Sequence, residues 1–307
     1  MSLRTTELRH HQSGDIDMLA SSEAASILLS GQVDAVRSVF GAIPAITQAA
    51  SLLAKRFQQG GNLIYCAAGS SGLMALADGL ELPGTFGIPN TRIKILFAGG
   101  DACLKNLLGG PEDDENLAIQ DIAAADLSAD DTVIALSASG LTPYALKAVE
   151  LAKNAGAKSV AIANNEGAPL FKDADVAICL PTPPEVIAGS TRMGAGSAQK
   201  VALNMISTLM AIELGHVHDG HMVNVVADNE KLKQRAHGIV MQISACSKQT
   251  AHDALDLCGG HVKPAVLIAS GAENPEAAKI LLERNGQKLR PSLSELKQSQ
   301  GSKLKNA

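Results

Sequence analysis

Between Ser21 and Phe57 the apolar residues return every third or fourth position: Ala24, Ile27, Leu28, Val33, Val36, Val39, Phe40, Ile43, Ile46 and Ala49. That period predicts helices with one apolar face, and Gly60-Gly61 supplies the stop. The pattern then changes. Leu63–Ala67, Ile93–Ala98, Thr132–Ser137, Val160–Ala163 and Val176–Leu180 are short, nearly continuous apolar runs separated by helical stretches, notably Pro143–Ala155. Unbroken apolar runs alternating with helices predict a parallel sheet covered on both faces. A long helix rich in small residues is expected over about Ala195–Leu214. The remainder reads as helices, with one apolar run, Ala265–Ile268, short enough for a further strand. These patterns predict a helical segment over 1–59, a sheet domain over 60–240 and a small helical domain over 241–307, with the boundary near Ala236–Ser244.

Composition narrows the function classes. The chain has 307 residues, 46% of them hydrophobic, with 31 acidic and 26 basic residues and a net charge of −5. A large core follows from that content. Aromatics make up 2%, with no Trp, so a base-stacking platform is not expected. The acidic balance gives no electrostatic footprint for nucleic acid. No run of about 18 apolar residues predicts a membrane span, and the first residues lack the apolar core of a signal peptide. The five cysteines, Cys66, Cys103, Cys179, Cys246 and Cys258, are scattered with no CxxC pair. A reduced, cytoplasmic protein without disulfides or a cysteine metal site is expected.

In an open α/β sheet, ligands bind beyond the carboxyl ends of the strands. Three such ends carry glycine together with hydroxyl residues: Gly69-Ser70-Ser71-Gly72, Ser137-Ala138-Ser139-Gly140-Leu141-Thr142, and Gly189-Ser190-Thr191-Arg192 after Pro184-Glu185. Pro143 is well placed to open a helix after the second. Glycine admits close approach, free N–H groups at a helix start attract an anion, and hydroxyls add donors. These loops predict a phosphate site. Neither a Walker A sequence nor GxGxxG is present, which disfavours a nucleotide.

Ser137-x-Ser139-Gly140-x-Thr142 followed by a helix resembles the phosphate loop of the sugar isomerase (SIS) phosphosugar-binding domains. A longer ordered series carries a closer resemblance. It comprises AAGSSGL at 67–73, Glu81-Leu82-Pro83 before Thr85-Phe86-Gly87, AGG at 98–100, Pro111-Glu112-Asp113-Asp114 and SASGLTPY at 137–144. PEVIAGSTRMGAGSAQK at 184–200, Asn204-Met205 and Asn229-Glu230-Lys231-Leu232 complete it. Together these motifs resemble the N-acetylmuramic acid 6-phosphate etherases nearly end to end.

The resemblance implies an α/β fold, a doubly wound parallel sheet of SIS type flanked by helices, with N-terminal helices and a helical C-terminal domain. It implies a lyase that cleaves the lactyl ether of N-acetylmuramic acid 6-phosphate to N-acetylglucosamine 6-phosphate and D-lactate, with no cofactor and no metal, in amino-sugar and cell-wall recycling. The family reacts through the open-chain aldehyde: a base takes the carbon 2 proton, lactate leaves carbon 3, and water adds. Its two catalytic glutamates fall on Glu81 and Glu112. Substrate binding is expected from Ser70, Ser71, Ser137, Ser139, Thr142, Glu185, Ser190 and Arg192, with a phosphorylated amino sugar as ligand and a homodimer as assembly. Two other readings share the same loops. One is an aldose–ketose isomerase, which enolises carbon 2 and expels nothing. The other is a non-catalytic phosphosugar sensor, which has no need of two retained glutamates.

Three positions depart from the family. Leu73 and Leu141 stand where typical etherases carry arginine, and Gly194 where they carry lysine. With three cations replaced, weaker recognition of the lactyl carboxylate is expected. The cluster His216-Val217-His218-Asp219-Gly220-His221 is peculiar to this chain. Histidines and glycine after a helix end are ordinary capping and dipole partners, and no metal is assigned to them.

Overall fold

The computed structural model describes residues 4–227 and 229–305, with side chains to Gly301. Five parallel strands form the sheet: β1 (Leu63–Ala67), β2 (Ile93–Phe97), β3 (Thr132–Ser137), β4 (Lys158–Ala163) and β5 (Val176–Cys179), in the order β2-β1-β3-β4-β5. Leu63 pairs with Ile93 on one side and Thr132 on the other, and the same register runs through the sheet. Every residue of β1 and β3 is buried, as expected of strands covered on both faces.

Helices supply the two covers. Ile64, Cys66 and Val133 face α6 (Glu115–Ala124) and α7 (Pro143–Asn154), packing with Ala118, Ile122, Tyr144, Ala148 and Ala152. Tyr65 points the other way, toward α3 (Gly69–Gly79). A methyl group added at Gly72 would fall 2.5 Å from the Phe97 ring, and one at Gly79 2.9 Å from Ile95. The small residues of α3 thus let it lie directly on β2. The N-terminal helical region is two helices, α1 (Ser21–Arg37) and α2 (Val39–Gln58), bent by 42° at Ser38. The long helix of small residues is α8 (Gly194–Glu213). Between them, α4 (Leu82–Phe86) and α5 (Gly100–Lys105) are single turns or little more.

The chain divides into two compact units. One holds residues up to Leu80 with Asn90–Leu209; the other holds Glu81–Pro89 with residues from Met210 onward. The second is helical, with α9 (Glu230–Ser244), α10 (Lys248–Leu257), α11 (Val262–Ala269), α12 (Pro275–Arg284) and α13 (Leu289–Lys305), and a two-residue hairpin of β6 (Val217–His218) and β7 (His221–Met222). The segment Ala236–Ser244, where the boundary is expected, lies inside the uninterrupted α9. Ala265–Ile268 is helix rather than strand. It forms the centre of α11, whose Val262, Ala265, Val266 and Leu267 are all buried, and a helix buried on most sides loses the polar stripe that would reveal its period.

Candidate active site

The strand order 2-1-3-4-5 reverses direction at the β1/β3 pair, and such switch points open a crevice at the carboxyl ends of the strands. The first two hydroxyl-rich loops leave β1 and β3 there. The β3 loop is organised by its own side chains. Ser137 Oγ lies 2.8 Å from Thr142 Oγ1 and 3.3 Å from Ser139 Oγ. The Gly140 N–H donates to Ser137 Oγ at 3.0 Å, and the Leu141 N–H to Ser139 Oγ at 3.1 Å. Gly140 has φ +70°, and a Cβ there would fall 2.3 Å from the Ala168 Cβ, so only glycine fits. Pro143 then opens α7, and the Ala145 and Leu146 N–H groups donate to the Thr142 carbonyl at 3.0 Å each.

These residues line a cleft of about 310 Å³. Ser70, Ser71, Ser137, Ser139 and Thr142 all face it, together with Glu112, Asp113, Leu141, Gly189, Thr191 and Glu7. Ser70 and Ser71 sit in the first turn of α3, whose cap residue Ala68 offers no side-chain acceptor. The first turn of α3 thus has no side-chain cap, and its residues Gly69, Ser70 and Ser71 line the cleft. No Lys, Arg or His is among the described residues that line it. The donors it offers are hydroxyls and backbone N–H groups.

Glu112 occupies the single turn Gly110–Asp113 that leads to α6. A Cβ on Gly69 would be 3.9 Å from Glu112 Oε2, so the carboxyl lies against the start of α3. Partial burial raises its pKa above the usual carboxylate value, and the neighbouring Asp113 charge adds to the shift. Glu81 lies in the second unit, exposed, at the cap position of α4, with its carbonyl accepting from the Thr85 N–H at 3.0 Å.

The third loop is used differently from the sequence expectation. Gly189 and Thr191 line the cleft, whereas Ser190, Arg192 and Glu185 do not. Arg192 is exposed. Glu185 is buried, and its two oxygens accept from the Gly194 and Ala195 N–H groups at 3.0 and 2.8 Å. It caps the start of α8. Gly194 also has a packing role. A Cβ there would fall 2.7 Å from the Ala35 Cβ, just as one on Gly31 would fall 2.6 Å from Val186. α1 lies against this loop through Gly31 and Ala35, so the family's lysine has no room.

In the second unit, His218 Nε2 is 3.5 Å from Asp219 Oδ2, and Arg290 also pairs with Asp219. His216 Nδ1 is buried without a partner. No group of three His, Cys, Asp or Glu side chains among the described residues is arranged to hold a metal. A larger cavity of about 700 Å³ is lined by Lys263, His261 and Asn224 but by none of the expected site residues. Lys263 Nζ donates to the Gln287 carbonyl at 3.2 Å, and burial lowers its pKa to about 8.

Residues 114–214 match the SIS domain family, and residues 45–153 match the glucokinase regulatory protein N-terminal SIS domain. The phosphoheptose isomerase from Francisella tularensis is 22% identical with a TM-score of 0.46, covering 64% of this chain and 98% of its own. The N-acetylmuramic acid 6-phosphate etherase of Deinococcus radiodurans is 40% identical over 279 residues, covering 91% of this chain and 92% of that protein. That of a Geobacillus species is 38% identical over 283 residues, covering 92% and 96%. A match of this strength over nearly the whole of both chains shows that this protein belongs to the N-acetylmuramic acid 6-phosphate etherase family.

Proposed function

We propose that this protein is a carbon–oxygen lyase that converts N-acetylmuramic acid 6-phosphate to N-acetylglucosamine 6-phosphate and D-lactate. One observation carries the reading: five hydroxyl side chains and a carboxyl of raised pKa share one cleft at the sheet's switch point, in a chain of this family. The hydroxyls and the N–H groups at the start of α3 hold the 6-phosphate. The reaction then needs one group to accept the carbon 2 proton and another to protonate the departing lactate oxygen.

Glu112 takes the first role. Desolvation makes its ionised form the stronger base, which suits abstraction from a weak carbon acid. Membership of the family assigns the second role to Glu81, which protonates the ether oxygen as lactate leaves carbon 3 and then directs water to the unsaturated aldehyde. Elimination and hydration balance without an oxidant, a metal or a nucleotide. A homodimer in the cytoplasm completes the proposal, and the free thiols of all five cysteines suit a reducing compartment.

The test is incubation of the purified protein with N-acetylmuramic acid 6-phosphate and assay of free D-lactate. Stoichiometric lactate supports the lyase. Conversion of a phosphosugar aldose to its ketose without lactate would replace it with the isomerase reading.

A further inference from the structure

The N-terminal turn Thr5–Glu7 is tied to the phosphate loop by one buried amide. Thr6 is 1% exposed and Asn165, just past β4, is 4% exposed. The Thr6 N–H donates to Asn165 Oδ1 at 3.4 Å, and Asn165 Nδ2 donates to Thr6 Oγ1 at 3.1 Å. The same Nδ2 donates to the carbonyl of Ala138, inside the phosphate loop, at 3.0 Å. Asn165 thus grips the loop with one hand and the N-terminal turn with the other. Three further bonds steady the grip from neighbouring residues: Asn164 N–H to the Ala138 carbonyl at 3.0 Å, Gln199 Nε2 to Asn164 Oδ1 at 2.9 Å, and Asn164 Nδ2 to the Ala195 carbonyl at 3.4 Å.

The consequence falls on the next residue. Glu7 lines the cleft beside Gly189, where a Cβ would stand 3.9 Å from Glu7 Oε2. A carboxylate there cannot serve as counter-ion to a phosphate. With Glu112 and Asp113 it gives a cleft of hydroxyls and carboxylates, without a cation among its described lining. What a carboxylate does well in such a place is accept hydrogen bonds from hydroxyl groups, and the part of a phosphosugar that carries those is its carbon chain.

We propose that Glu7 is a further substrate-contacting residue that binds the sugar hydroxyls, held in place by the Thr6–Asn165 clamp. This rests on the phosphosugar reading above. Glu7 then discriminates a sugar phosphate from a bare anion, and Thr6 and Asn165 are positioning residues.

The test compares the binding of N-acetylglucosamine 6-phosphate with that of inorganic phosphate, in the full-length protein and its variants. Glu7→Ala is expected to weaken the sugar phosphate by about 10- to 150-fold, the range for a hydrogen bond to a charged group. Inorganic phosphate should bind as well or better, because a like charge has gone. Thr6→Val should weaken the sugar phosphate in the same sense and add little to Glu7→Ala, whereas Thr6→Ser, which keeps the hydroxyl, should restore it. Equal loss of both ligands in Glu7→Ala, or no loss of the sugar phosphate, would overturn the inference while leaving the phosphosugar site standing. Failure of the wild-type protein to bind the sugar phosphate at all would overturn the underlying reading, and the inference with it.

Discussion

The Tyr65 hydroxyl donates to Asp78 Oδ2 at 2.7 Å, joining the middle of β1 to the last turn of α3. Asp78 is 2% exposed, and its other oxygen accepts from Asn204 Nδ2 at 2.7 Å and Ser207 Oγ at 2.9 Å, both on α8. Lys200 in turn donates to Asn204 Oδ1. A single carboxylate therefore joins a strand and two helices, and α3 carries Ser70 and Ser71 at its other end. Asp78→Ala would take the acceptor from the buried Tyr65 hydroxyl and from the half-buried Asn204 amide, and would leave Ser207 Oγ only the Asn204 carbonyl at 3.3 Å. It is expected to destabilise the protein by roughly 2–5 kcal/mol, read by denaturant unfolding. A loss below about 1 kcal/mol would show that the network contributes little.

The division of labour between the two glutamates is separable by isotope exchange. In heavy water, Glu81→Gln should still exchange the carbon 2 proton of the substrate while releasing lactate roughly 10²–10⁴-fold more slowly. Glu112→Gln should lose both exchange and release. Exchange that survives in Glu112→Gln and vanishes in Glu81→Gln would reverse the assignment.

Much of this was legible in the chain, for physical reasons. β1 and β3 read as strands because burial on both faces leaves Leu63–Ala67 and Val133–Leu136 as unbroken apolar runs, and the loop of Ser137, Ser139 and Thr142 was legible because a strand end, a glycine and Pro143 mark it. α11 was not, because its Val266-Leu267-Ile268 run is mostly buried and has no polar period to betray a helix. The capping role of Glu185 was not legible either, because nothing local reveals that its oxygens meet the start of α8. Glu7 was invisible for the same reason: Thr6 and the Asn165 that fixes it are 159 residues apart. Only its neighbour, a small hydroxyl residue able to satisfy an amide, offered any signal.

The three neutral positions now part company. Leu141 lines the cleft, Leu73 lies on α3 with 36% exposure, and Gly194 is packed against Ala35. Leu141→Arg should tighten N-acetylmuramic acid 6-phosphate by about 10- to 150-fold and leave N-acetylglucosamine 6-phosphate unchanged, since only the former offers a carboxylate. Titration of both sugars checks it, and equal tightening would assign the arginine to phosphate instead. Gly194→Ala should gain no affinity and cost about 1–3 kcal/mol of stability through overpacking.

Acid should loosen the second unit through His216. Burial pushes this imidazole down to about 4, and the Lys263 charge adds to the shift. Between the unfolded value of about 6.5 and that folded value, the unfolded chain binds a proton that the folded one refuses. Stability is therefore full above the unfolded value and falls as pH drops through this window. From pH 7 to pH 5.5 the loss should be about 1 kcal/mol. His216→Asn removes the titrating group, so its unfolding free energy should fall less over that interval than the wild type's. Parallel pH dependence in the two proteins would remove His216 from the account.

The most direct test of the chemistry is the fate of solvent oxygen. When N-acetylmuramic acid 6-phosphate is turned over in ¹⁸O-labelled water, elimination followed by hydration places one label on carbon 3 of N-acetylglucosamine 6-phosphate. The D-lactate leaves with its original ether oxygen, unlabelled at carbon 2. Mass spectrometry of the two separated products reads this in one experiment. Label on the lactate carbon 2 hydroxyl, with none gained at carbon 3 of the sugar, would contradict the proposed mechanism.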